Sequence, residues 1–477
     1  MQLPLRRALS TAASVRRARA LHTAAASPPS RTPPWAMIYH TPPVRSTAPR
    51  ATFLLAEPPC PSHIHVPDHL IDRRPSSDPD DGDTECLLGG LPSATSGDGL
   101  LLLTYVDMHS PAVASHITGA REHKLFALDN DPRITRFVCN PLTGELFRLP
   151  DIDGPKPRPS VGLLTRSDAG HGPPDRYAVA LLNDDGSSNG EERAFTMWRF
   201  LSQRGEWEKL VGLPCRLPLP RKMCTSVEAV AFDGRLWWVD PTWGAISADP
   251  FSDRPELRFV ELPRGSVWPG IVRADLVRIG GMYQRMGVSE GRLRYVELSE
   301  KYPFVLSSFA LDDDGSGWTL EHRVALGRLC KEGISGGDHP SKQNNLRIGV
   351  IDPLNASVVC VLIGKLVVAV DMDMGKVLGC SPIDESFEDV PFIITAILKA
   401  CVLPPWLGSS KIPCAVHLLY GMYKKIVYIC NVPTNCELLI FFLWYNWSCR
   451  SIEGTPSSNN SKTLSDILVR VDRDKNS

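Results

Sequence analysis

None of the 13 cysteines falls in a Cys-x-x-Cys pair, which leaves zinc ribbons and thioredoxin-like redox sites without support. The count is odd and the thiols are mostly scattered singly, so they do not form the even, regular framework of a small disulfide-stapled domain. No Gly-x-Gly-x-x-Gly and no Gly-x-x-x-x-Gly-Lys-Ser/Thr string occurs, so a phosphate-cradling loop of either kind is missing. No apolar run nears the roughly 18 residues that a membrane-spanning helix needs. The longest, Leu438 to Tyr445, is far shorter. Net charge is scarce too, at -1 for 477 residues. Proline, in contrast, is plentiful: 42 residues against 36 glycines. That argues against a mostly helical protein, because proline removes a backbone donor and blocks helix interiors.

The near-zero charge is a cancellation between two unlike segments. Residues 1–56 hold eight arginines, no lysine and no acid before Glu57, leaving 44 basic against 53 acidic residues in 57–477. Residues 5–19 can form a helix with Leu5, Leu9 and Ala12 along one side and arginines over much of the rest. An Arg-rich, acid-free amphipathic leader is the pattern of an organellar transit peptide, and the arginine bias favours mitochondria over chloroplast. The alternative is a disordered basic tail on a protein of the cytoplasm or nucleus. The body left behind is mildly acidic, which argues against nucleic-acid binding by a broad basic surface.

From Trp35 to about Leu403 the chain repeats one grammar, a short strand, a polar turn and another strand. Gly99–Val106, His123–Asp129, Ile134–Cys139 and Glu145–Pro150 read as strands, as do Arg176–Leu182, Ala194–Phe200 and Glu206–Leu210. Val227–Phe232 turns at Asp233-Gly234 into Arg235–Val239, a hairpin signal because both central residues of such a turn need positive φ. Gly291-Arg292 and Gly364-Lys365 punctuate two further hairpins. Units of this kind recur about every fifty residues, which points to radial or stacked repeats rather than one sandwich, and a propeller leaves few exposed edges. The predicted fold class is all-β, a β-propeller-like repeat of roughly six to eight blades. A pair of β-sandwich domains would need a clear linker, and the best candidate, residues 151–160, is weak.

Several segments carry a resemblance. Cys139–Pro150 resembles the blade-closing phrase of plant F-box-associated propellers, Val227–Val239 resembles their hairpin, and Trp318–Leu326 resembles a later blade. Ile351–Val359 and Gly364–Leu378 look like the plant family called domain of unknown function 1618, with Pro33-Pro34-Trp35 and Leu403-Pro404-Pro405 as its two edges. The resemblance covers about residues 33–408 and implies a propeller with no assigned activity. An F-box would need a helical segment of about 45 residues ahead of the propeller, which the proline-broken leader does not supply. From about Lys411 the resemblance stops. The expected organisation is therefore a leader over residues 1–34, the propeller over 35–408 and an atypical tail over 409–477. That tail reads as a disordered segment or as an alternative or mis-joined exon, with the final propeller strand missing or substituted.

Candidate chemistry is sparse. Cys60, His63, His65 and His69 form the sharpest metal candidate, since His63 and His65 share one face of a strand. The alternative is that Ile64 and Val66 face inward and leave the histidines outside. Gly333-Ile-Ser335-Gly-Gly337 matches the nucleophile-elbow string, but Asp338-His339-Pro340 follows where a helix is required. Asp312, Asp314, Ser316 and Gly317 begin like a calcium loop, yet its twelfth position is Arg323. A loop starting at Asp185 fails at Thr196. Both runs, and Asp78–Asp83, read as polar turns or loops. Trp237 and Trp238 adjoin on a strand, so they face opposite sides and read as core. The sequons at Asn355, Asn446 and Asn459 mean little without secretion. The sequence thus predicts no catalytic set, metal or cofactor, and neither a nucleic-acid nor a membrane partner. It points to a non-enzymatic propeller that binds a partner protein. The rivals are an enzyme with its site in the central pocket and a substrate adaptor lacking an F-box.

Overall fold

The computed structural model describes residues 32–414 except 40–42, 74–83, 112–132, 153–159, 171, 190–191, 219–221, 226–227, 264–281, 328, 330–345 and 384–397. The leader to residue 31, the expected strand at 123–129, the acidic run 78–83, the string around Ser335 and the tail from 415 lie outside the described residues. The chain divides into two units, Met1–Ala415 and Val416–Ser477, and every described residue belongs to the first.

Strands β1 to β24 make six four-stranded sheets arranged in a ring, a six-bladed β-propeller. Blade II comprises β4 (Thr84–Thr95), β5 (Leu101–Pro111), β6 (Arg133–Cys139) and β7 (Leu146–Arg148). Blade III comprises β8 (Val161–Arg166), β9 (Arg176–Asn189), β10 (Glu192–Leu201) and β11 (Trp207–Arg216). Blade IV comprises β12 (Glu228–Phe232), β13 (Arg235–Asp240), β14 (Gly244–Ala248) and β15 (Arg258–Glu261). Blade V comprises β16 (Gln284–Ser289), β17 (Arg292–Leu298), β18 (Val305–Leu311) and β19 (Trp318–Ala325). Blade VI comprises β20 (Arg347–Ile351), β21 (Val358–Ile363), β22 (Leu366–Asp371) and β23 (Lys376–Pro382). All pairings in these five blades are antiparallel. The first strand of each blade is innermost and touches the first strands of its neighbours.

Blade I closes the ring with strands from both ends of the domain. Its inner strand, β24 (Lys399–Val402), pairs antiparallel with β1 (Trp35–Ile38), with Trp35 opposite Val402 and Ile38 opposite Lys399. Next come β3 (Pro61–His65), parallel to β1, and β2 (Thr52–Leu54). The closing strand is thus supplied by Lys399–Val402, which corrects the expectation that it is missing or replaced by the tail. The chain just past residue 408 also contacts the propeller. Asn140 Nδ2 donates to the carbonyls of Leu407 and Ser410 at 2.9 and 3.1 Å, and Ile412 is buried with its amide on Glu145 Oε2. Leu407, Ser410 and Ile412 therefore pack on blade II.

The sequence explains the local geometry. In a propeller the middle strands are covered on both faces, so they read as apolar runs rather than alternations. β21 is buried at every position, and so is β14. Trp238 packs with Leu164 and Leu182 of blade III, and Trp237 packs with Leu293 and Tyr295 of blade V, so the two indoles fill opposite blade interfaces. The hairpin at Asp233-Gly234 has φ of 48° and 66°, as the turn requires. In blade V the turn residues are Glu290 and Gly291, with φ of 51° and 72°, one position earlier than Gly291-Arg292. Asp184 and Asp185 lie inside β9 rather than in a turn. The outer strands β11, β19 and β23 each break register by a bulge, a device that blunts a sheet edge against further pairing.

Inner strands share one direction, so the turns between first and second strands gather on one face of the ring. Adjacent turns there touch directly, as where the Glu290 amide donates to the Pro353 carbonyl. The segments leading into the inner strands meet on the opposite face, where the Ser160 amide donates to the Thr225 carbonyl.

Candidate functional site

The metal candidate does not assemble. His63 and His65 lie on one side of β3, with Ser62 and Ile64 buried on the other. The His63 ring meets Tyr39 edge-on at 5.8 Å, and His69 Nδ1 shares a 2.7 Å hydrogen bond with the Ser46 carbonyl. Among the described residues no group of three or more histidine, cysteine or acidic side chains could hold a metal. The Asp312–Gly317 run is a turn held by its own bonds, Asp312 amide to Gly317 carbonyl and Ser316 amide to Asp314 Oδ1. Asp185 accepts from Thr196 Oγ1 at 2.9 Å across the β9–β10 pair. Asn355 accepts from the Ser357 amide and hydroxyl within a turn.

A different constellation lies on the ring axis, where the inner strands begin. Glu228 is the first residue of β12, Arg285 the second of β16 and Lys399 the first of β24. All three are removed from solvent, at 4%, 6% and 8% exposure. Arg285 reaches Glu228 with Nε at 3.2 Å and Nη2 at 2.9 Å, and Lys399 Nζ donates to Glu228 Oε1 at 2.7 Å. The guanidinium also donates to the Gly349 carbonyl of β20 at 2.7 Å and the Leu398 carbonyl at 3.2 Å. The Met286 amide adds a fourth donor to the Glu228 carboxylate. Four blades are thereby tied together by one carboxylate and one guanidinium.

Burial by itself would raise the Glu228 pKa, but Arg285 and Lys399 overcome it and hold the carboxyl down to about 2. Burial pulls the Lys399 ammonium below its usual value, and Glu228 opposes that pull. Glu228 is thus an ionised, fully engaged acceptor, unsuited to moving a proton near neutrality. The hub is built as a lock.

Nothing in the sequence reading singled out these residues. Glu228 and Lys399 are charged positions at the start of short, otherwise apolar strands, Glu228-Ala-Val-Ala-Phe232 and Lys399-Ala-Cys-Val402, whereas Arg285 follows Gln284 in a more polar one. That placement is the one signal that could have found them. Other buried ions also act structurally. Asp184 pairs with Arg193 through two bonds of 3.0 and 2.8 Å and accepts the Met223 amide. Arg199 joins Glu208 to the Pro250 and Ser252 carbonyls of the next blade.

The comparisons with known proteins bear on the same region. Residues 238–360 match the family described as protein of unknown function DUF1618. The matched segment runs from Trp238 of β13 through blade V to Cys360 of β21, so it includes Arg285 and Gly349 but not Glu228 or Lys399. Of the segments that carried the resemblance, Trp318–Leu326 and Ile351–Val359 fall inside it. No curated protein matches the chain. Similar solved structures include the mitotic checkpoint complex, at 9% identity over 65% of this chain and 73% of that one, with a TM-score of 0.28. AztD of Citrobacter koseri matches at 9% over 65% and 72%, with a TM-score of 0.27. The periplasmic gluconolactonase of Pseudomonas aeruginosa matches at 11% over 78% and 99%, with a TM-score of 0.31. These likenesses are too distant to carry a function.

Proposed function

We propose that this chain is a non-enzymatic β-propeller, akin to the plant DUF1618 and F-box-associated propellers, that binds a partner protein through its face of short turns. The observation that carries this reading is a pair of exposed apolar side chains on that face. Leu354 and Met374 are 50% and 60% exposed and stand on the two turns of blade VI. The turns lie against each other, because the Met372 amide donates to the Ser357 carbonyl at 2.8 Å and Asp371 accepts from both Ser357 and Met374. Exposed acids flank the pair, with Glu290 bonded through its amide to Pro353 and Asp373 next to Met374. Adjacent exposed apolar groups with a charged rim fit a docking site. A rigid ring held by the hub presents them without rearrangement.

Proximity labelling in the native compartment tests the reading. The intact chain should enrich a reproducible set of proteins that a Leu354→Ser, Met374→Ser double variant loses. Enrichment of small-molecule pathway enzymes with no stable partner would overturn it in favour of an enzyme. The Arg-rich leader supports placing the protein in the mitochondrion, and a fluorescent fusion of the first forty residues that stays in the cytosol would remove that placement.

A further inference from the structure

The hydrogen-bonding capacity of the hub is unbalanced. A carboxylate offers about four lone-pair sites. Those of Glu228 are taken by Arg285 Nε, Arg285 Nη2, Lys399 Nζ and the Met286 amide. An ammonium has three donors, and Lys399 directs one of them to Glu228. A guanidinium has five, and Arg285 directs four to Glu228, Gly349 and Leu398. Among the described residues, two cations and one anion therefore meet in a desolvated place, with cationic N–H groups remaining and the carboxylate's acceptor sites filled. Burying an excess positive charge is costly unless a counter-charge answers it.

We propose that the hub is an anion site, in which a compact monovalent anion is held on the ring axis by Lys399 Nζ and Arg285 Nη1. The hub's own make-up favours such a ligand over a large one. The donors come from two blades and meet at one Glu228 oxygen, all three side chains are removed from solvent, and among the described residues the three charges sum to a single positive unit. A halide or a small carboxylate shares that chemistry. The bound ion would add a link between Lys399 of blade I and Arg285 of blade V, so its occupancy would set how firmly the ring is closed. This goes beyond the partner-binding reading and stands or falls separately from it.

Thermal unfolding of the full chain at constant ionic strength tests the site, with chloride replacing gluconate in one series and acetate replacing it in another. The expected result is a midpoint that rises by several degrees and saturates, as for a ligand that binds the folded state alone. If both small anions act, the site takes either; if only chloride acts, it is a halide site. Lys399→Met should unfold at a midpoint that no longer depends on either ion, and Lys399→Arg, which keeps charge and donors, should retain the dependence. Chloride NMR line broadening by the folded chain, lost in Lys399→Met, gives a readout apart from stability. A midpoint insensitive to both anions, or a dependence unchanged in Lys399→Met, would overturn the proposal.

Discussion

The Leu403 amide donates to the Pro34 carbonyl at 2.7 Å, joining the two edges of the propeller across the whole length of its sequence. The bond continues the β1–β24 ladder by one step beyond Trp35 and Val402. Closure thus rests on a four-residue strand pair plus what packs around it. Gly99 of blade II is part of that packing.

Gly99 has φ of 86°, and a Cβ there would lie 2.5 Å from the Val402 carbonyl oxygen and 2.9 Å from Leu407. Gly170 has φ of 75° with nothing within 4 Å. Both positions strain an L side chain, but only the first also collides with the seam. Gly99→Ala is expected to lower stability by about 1–3 kcal/mol more than Gly170→Ala. Urea unfolding of the two variants side by side checks this, and equal midpoints would refute it.

Stability should fall in acid through Glu228. Its folded pKa, about 2, lies below the ordinary value near 4.3, so its contribution is present above about 4.3 and is lost as pH falls towards 2. The contribution is about 3 kcal/mol. Glu228→Gln should flatten that part of the stability-against-pH curve. It should also destabilise the protein at neutral pH, because Arg285 and Lys399 are left buried without an anion. Lys399→Met, which leaves a neutral pair, should cost less. Unfolding free energies measured from pH 7 down to pH 3 distinguish the three.

Two tryptophans, two blades apart, each make the same bond to the preceding blade. Trp207 Nε1, at the head of β11, donates to the Pro150 carbonyl of blade II at 2.7 Å, and Trp318 Nε1, at the head of β19, donates to the Glu261 carbonyl of blade IV at 2.8 Å. Replacing either by Phe should cost about 1 kcal/mol for the lost bond. The two costs should add in the double variant, since the sites share no partners. A large coupling in the cycle would contradict independent blade-to-blade links.

Thiol reactivity should divide by position. Burial pushes Cys139, Cys215 and Cys360 up to about 12, and drives Cys401 up as well. Cys60 and Cys380 are exposed. At pH 8 the native chain should therefore be alkylated at Cys60 and Cys380 well before the buried four. Peptide mass spectrometry after brief iodoacetamide treatment reads the order directly, and early labelling of Cys401 would argue for an open ring.

The strand grammar was legible in the sequence because each cue is local. Asp233-Gly234 needs only two residues to specify its turn, and a β21 apolar throughout needs no partner to be named before it reads as covered on both faces. The edges were legible too, as Pro33-Pro34-Trp35 and Leu403-Pro404-Pro405, yet their pairing with each other was not. Nor did Glu228, Arg285 or Lys399 stand out, since 57 residues separate the first two and 171 separate Glu228 from Lys399. The histidines around Cys60 stood out and do not assemble, because His69 turns to Ser46 instead.

The sequence by itself determined an all-β repeat of short antiparallel strands, since turn chemistry and apolar runs act over a few residues. Only the tertiary structure decided the number of blades, the closing strand and the charged hub. Those depend on which inner strands become neighbours around the axis, and a charge becomes a lock only when burial removes the water that would otherwise answer it.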